Sequence, residues 1–112
     1  MKALELAQRY MKIVFEGSDP AELASLFCED LVFRGPLFSF DTAGDYIESL
    51  KSAPPEGFSY EIIRSFESES AACVVYQFSK PGISTPMAQL FETRDGRISR
   101  IVLIFDSGVF PR

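Results

Sequence analysis

The chain has 112 residues, 46% of them hydrophobic, with 16 acidic against 11 basic side chains and a net charge of −5. That is enough for one core in one domain, 1–112, and an acidic balance without a basic cluster argues against nucleic acid or an anionic membrane surface as partner. No histidine is present, so acid–base chemistry falls to carboxylates, tyrosines or lysines, and no metal or cofactor is expected.

Residues 2 to 16 carry Leu6, Ala7, Tyr10, Ile13 and Val14 at helical spacing, with Gly17 as the stop. Asp19-Pro20-Ala21-Glu22 reads as a fresh helix start, with a capping acid, proline in the first turn and glutamate three residues after the cap. This second helix is short and turns Leu23, Leu26 and Phe27 inward. Cys28-Glu29-Asp30 is expected to turn the chain into an extended segment, Leu31 to Arg34. Gly35-Pro36 breaks it, and Leu37-Phe38-Ser39-Phe40 alternates as a second short strand. A third helix follows from Ala43 to Ser52, capped by Asp41 or Thr42, with Tyr46, Ile47 and Leu50 inward. Pro54-Pro55-Glu56-Gly57 is a stiff connector.

The hydrophobic period then changes from 3.6 to 2. Residues 58 to 67 put Phe58, Tyr60, Ile62 and Phe66 on one side. Residues 71 to 79 put Val74, Tyr76 and Phe78 on one face, and Pro81-Gly82 turns the chain into a long hairpin around Arg94-Asp95-Gly96. A two-residue turn there would set Arg100 beside Phe91. A three-residue loop with glycine in the left-handed position puts Met87, Gln89, Phe91, Ile101, Leu103 and Phe105 on one face and pairs Glu92 with Arg100 on the other. The three-residue form is favoured. Both faces of the last strand are then apolar, so a homodimer through the outer sheet face is expected. Helices first and antiparallel strands after make an α+β fold.

The longest wholly apolar run, residues 71 to 76, is too short to span a bilayer, and the N-terminus is amphipathic without a signal-peptide core. Cys28 and Cys73 form no metal motif or disulfide framework and read as buried, reduced thiols of a cytoplasmic protein.

Long helix, short helix, Leu-Phe before an acidic turn, a strand ending at Gly-Pro, a third helix and four strands ending in Ile-Phe-Asp resemble the SnoaL-like branch of the nuclear-transport-factor-like superfamily. The resemblance covers the whole chain. It implies a cone-shaped fold in which a curved, mixed sheet wraps the long N-terminal helix around a deep pocket, usually in a dimer. Ketosteroid isomerase is the nearest enzymatic comparison. Gln8-Arg9-Tyr10 matches that family's Gln-Arg-Tyr, whose tyrosine donates to an enolate oxygen, and Tyr46 falls where a second tyrosine supports it. Gly35 stands where the isomerase has its aspartate base, and Gln89 where it has a protonated aspartic acid. An oxyanion site from Tyr10 and Gln89 is thus implied without the proton-shuttling base.

The residues carry the same candidates with plainer readings beside them. Tyr10 and Tyr46 are pocket donors or core tyrosines with a buried acceptor. Gln89, polar between Met87 and Phe91 on an inner face, is costly to bury unless it meets a ligand, water or a tyrosine. Asp41, with Arg34 at the pocket rim, and Asp106, at the end of the last strand, are the carboxylates a hidden active site could use; a cap or surface charge is the plainer role of Asp41, and a structural one that of Asp106. Tyr10, Phe33, Phe38, Tyr46, Tyr76, Met87, Gln89, Phe91, Leu103 and Phe105 form the expected ligand-binding set. The expected occupant is a small hydrophobic or aromatic carbonyl compound; an isomerase, cyclase or dehydratase and a dimeric interaction module are the alternatives.

Overall fold

The computed structural model describes residues 2–110. Helix α1 (Ala3–Phe15) starts with the Glu5 side chain accepting from the Lys2 amide at 3.2 Å and is followed by Gly17 at a φ of 81°. Its apolar stripe is buried from Ala3 to Met11. The second helical segment, Pro20–Ser25, is a 3-10 helix, with Asp19 accepting from Ala21 N at 2.9 Å. Helix α2 (Ala43–Ser52) is capped by Thr42, whose hydroxyl accepts from Asp45 N at 3.1 Å. Asp41 instead pairs with Arg34 at 2.7 Å.

Six strands, β1 (Phe27–Arg34), β2 (Ser39–Phe40), β3 (Ser59–Glu67), β4 (Ala71–Lys80), β5 (Ile83–Arg94) and β6 (Arg97–Ile104), form one open mixed sheet in the order β2-β1-β6-β5-β4-β3. β1 lies parallel to β6, with Phe33 opposite Ile101. α1 lies against β3 to β6, and α2 against β1 and β2, so the inner sheet face and the helices enclose the core.

Three sequence expectations are corrected by the packing. Cys28-Glu29-Asp30 does not turn the chain: it lies within β1, where the register against β6 shifts between Phe27 and Val32 and lets Phe27 stay buried. Phe66 does not face the core. The register between β3 and β4 slips between Ile62 and Arg64, so Tyr60 opposes buried Phe78 while Phe66 opposes Cys73 on the outer face and is 56% exposed. Ile62, on the expected inward side, is also exposed at the sheet edge. Both cysteines are free and half-buried rather than buried.

The last hairpin combines the two turn options. Asp95 and Gly96, at φ 53° and 77°, form a two-residue turn between paired Arg94 and Arg97. A register shift then follows between Glu92 and Thr93, and from Glu92–Arg100 onward the strands hold the register expected of the longer loop, with Gln89 opposite Leu103. The turn chemistry of Asp-Gly and the burial of Ile98 and Ile101 are both satisfied because one residue bulges.

Candidate functional site

Between α1, α2 and the inner sheet face lies a cavity of about 720 Å³. α1 contributes Tyr10, Val14 and Phe15, and α2 contributes Tyr46, Ser49 and Leu50. The sheet contributes Phe33, Tyr76, Phe78, Lys80, Met87, Gln89 and Leu103. Leu37, Phe38 and Phe40, the connector Ala53-Pro54-Pro55 with Phe58, and Phe105 with Phe110 complete the wall. Leu37 and Phe38 are about half exposed, at 49% and 57%, at the edge of this lining.

Nine of the ten residues expected to bind ligand line this space: Tyr10, Phe33, Phe38, Tyr46, Tyr76, Met87, Gln89, Leu103 and Phe105. Phe91 does not. It shares their strand face but is fully buried behind Tyr10, their ring centroids 5.2 Å apart in an edge-on contact. Neither Asp41 nor Asp106 lines the cavity. Asp41 is an exposed partner of Arg34, and Asp106 accepts from Gly108 N at 2.9 Å, starting the 3-10 turn Ser107–Val109. Among the described residues, no carboxylate lines the cavity and no group of three Cys, Asp and Glu side chains is placed to hold a metal ion.

Two polar pairs sit inside. The hydroxyls of Tyr10 and Tyr46 hydrogen-bond to each other, joining α1 to α2. Aromatic rings surround them: Phe33 lies 4.5 Å and Phe40 5.3 Å from the Tyr46 ring, centroid to centroid. One hydroxyl proton is used in that bond, leaving the other free to donate elsewhere. The second pair lies on the sheet: Gln89 Nε2 donates to the Tyr76 hydroxyl at 2.8 Å, and that hydroxyl donates to Met87 Sδ at 3.6 Å. Gln89 is 2% exposed, and its Oε1 has no hydrogen-bond partner. A buried acceptor without a donor costs about 1–3 kcal/mol, which a ligand hydroxyl or amide could recover.

Electrostatically the deep wall is neutral. Burial raises the Tyr10 phenol well above its ordinary value, and neighbouring Tyr46 adds to the effect. Burial also raises Tyr46, with the bond from Tyr10 working the other way. Tyr76 is pushed up to about 12 by burial, opposed by its bond with Gln89. All three phenols therefore keep their protons at neutral pH and act as hydrogen-bonding groups, not bases. Gly35 has little room for a side chain: an added Cβ would lie 3.3 Å from the Phe33 ring and 3.6 Å from Leu103.

Several wall residues were not singled out from sequence. Lys80 could have been, because the alternation Tyr76, Phe78, Lys80 continues the inner face of β4. Phe110 lies beyond the last strand, where no periodicity carries, and reaches the wall by packing on Phe105 and Phe78.

Known folds place this geometry. An NTF2-like protein of unknown function from Cytophaga hutchinsonii is similar at a TM-score of 0.80 and 19% identity, over 95% of this chain and 91% of that one. A second NTF2-like protein of unknown function, from Mesorhizobium loti, is similar at 0.80 and 19%, over 94% and 91%. An LEH-like epoxide hydrolase of M. tuberculosis is similar at 0.77 and 18%, over 93% and 82%. At these identities the likeness is one of fold. Among curated proteins, none matches the sequence. The profile of the SnoaL-like domain matches residues 7–101, and the chain belongs to that family.

Proposed function

We propose that this SnoaL-like protein binds a small, mostly apolar molecule carrying a carbonyl and a hydroxyl group. The observation that carries this reading is the unpaired, buried Oε1 of Gln89, a residue that lines the 720 Å³ aromatic cavity. A ligand hydroxyl would donate to Gln89, and the spare proton of the Tyr10–Tyr46 pair would donate to a ligand carbonyl. The oxyanion role expected of Gln89 makes it a donor to the ligand; its two amide N–H groups are instead directed at the Tyr76 hydroxyl, at 2.8 Å, and at Met11 Sδ, at 3.8 Å, which leaves Oε1 as acceptor.

Isomerisation, cyclisation or dehydration by proton abstraction needs a base in contact with the ligand. The protonated tyrosines and the two carboxylates outside the wall favour binding over that chemistry. Native mass spectrometry of protein purified from its own host should reveal a retained small molecule. Calorimetry with 2-naphthol should give micromolar binding that Gln89→Leu weakens about tenfold, the size of one buried hydrogen bond. Equal affinity in the two proteins would remove Gln89 from the account.

A homodimer through the outer sheet face belongs to the same proposal. Phe66 and Ile104 are exposed there at 56% and 58%, beside half-buried Val75, Leu90 and Val102. Light scattering at micromolar concentration should report twice the chain mass; a monomer would end the dimer reading. Two free thiols fit a reducing compartment such as the cytoplasm, and no helix among the described residues is long and apolar enough to cross a membrane.

A further inference from the structure

Lys80 is the one charged side chain among the described residues that line the cavity. It ends β4 on the face that carries Tyr76 and Phe78, and it is half-buried. Its Nζ lies 5.7 Å from the Phe58 ring centroid and 5.2 Å from that of Phe110. Both rings pack on Phe78, at 5.0 and 6.1 Å, so the ammonium is held over an aromatic platform that is itself cavity wall. The ion pairs among the described residues are Arg34–Asp41, Arg94–Asp30 and Arg100–Glu92. None involves Lys80. A cation partly withdrawn from water without a counter-ion favours whatever anion can reach it.

The opposite end of the same strand face is neutral and hydrogen-bonding. Tyr76, which holds Gln89, is four residues from Lys80, about 13 Å along an extended strand. Between them the wall is Phe78 and the rings that pack on it edge-on or tilted. One cationic end, an apolar middle and one deep acceptor describe an elongated occupant with unlike ends.

We propose that the ligand is a monoanion: an apolar, aromatic carboxylate whose charged end rests on Lys80 and whose body runs along Phe78 toward Tyr76 and Gln89. This rests on the binding reading above and names its ligand class. The competing role of Lys80 is structural, its stem covering Phe58 and Phe110. Ligand selection separates the two.

The test is calorimetry at neutral pH with naphthalene-2-acetate and its uncharged isostere naphthalene-2-acetamide, on the unaltered protein, Lys80→Met and Lys80→Arg. The acid should bind about tenfold tighter than the amide, the size of a charge-assisted hydrogen bond at a partly exposed site. Lys80→Met should abolish that ratio, Lys80→Arg should retain it, and added salt should shrink it. If acid and amide bind equally well to the unaltered protein, or if Lys80→Met keeps the preference, the anion site is overturned while the binding reading stands. A Lys80→Met variant that lowers the melting temperature but leaves the ratio intact assigns the lysine a structural role and also overturns it. Binding of neither probe overturns both.

Discussion

The two polar pairs in the cavity solve the same problem differently. Tyr10 and Tyr46 belong to two helices and satisfy each other, so each buried hydroxyl has a partner and the pair clamps α1 to α2. Tyr76 and Gln89 belong to adjacent strands whose spacing the sheet already fixes, and their bond leaves one amide oxygen unpaired. The helix pair stabilises the fold. The sheet pair leaves a buried acceptor unmet on a residue that lines the cavity.

Removing the helix pair should therefore cost the most. Tyr10→Ala takes out a fully buried ring that touches Phe27, Tyr46 and Phe91 and strands the Tyr46 hydroxyl, so urea denaturation should report a loss of roughly 3–5 kcal/mol. A loss below 1 kcal/mol would mean that the pair does not clamp the helices.

Alkaline pH should act on both pairs together. The folded state holds these phenolic protons more tightly than the unfolded chain does, so the unfolded chain is the first to lose them. Stability should be complete below the ordinary tyrosine value of about 10 and fall as pH rises toward 12 and above. Tyr76 alone accounts for on the order of 2 kcal/mol by pH 12. Melting temperatures that stay flat from pH 9 to 12 would contradict the burial of these groups.

The smallest effect is expected at the sheet pair. Gln89→Leu removes an unpaired acceptor together with a donor to Tyr76, and the two changes oppose each other, so stability should move by less than about 1 kcal/mol. A destabilisation as large as that of Tyr10→Ala would erase the difference between the pairs and make Gln89 a structural residue.

Much of this architecture is legible in the residues. Helix α2 begins and ends where Thr42 caps it and the apolar stripe stops, and the alternation of Val74, Tyr76 and Phe78 gives the buried face of β4. In the last hairpin the inner set Met87, Gln89, Ile101 and Leu103 follows from alternation, although the turn beneath it does not. These are local properties: a cap, a period or a turn residue acts within a few positions along the chain. The part of the cavity wall that lies on helices and strands is legible for the same reason, as the inner face of each element.

What remained depended on distant partners. The slip near Ile63 that sends Phe66 outward is set by β4, not by the sequence of β3. The parallel seating of β1 on β6 decides that Cys28 to Asp30 extend rather than turn. Phe91 and Gln89 share a strand face, yet only Gln89 borders the cavity, because Tyr10 of α1 covers Phe91. The sequence by itself determined an α+β SnoaL-like fold with aromatic inner faces. The tertiary structure alone decided that Tyr10 finds Tyr46, that the Gln89 amide donates to Tyr76 and Met11, and that Lys80 lies over Phe58 and Phe110. Hydrogen bonding and charge at a site depend on angstrom-scale distances between elements far apart in the chain, and no pattern within one element encodes them.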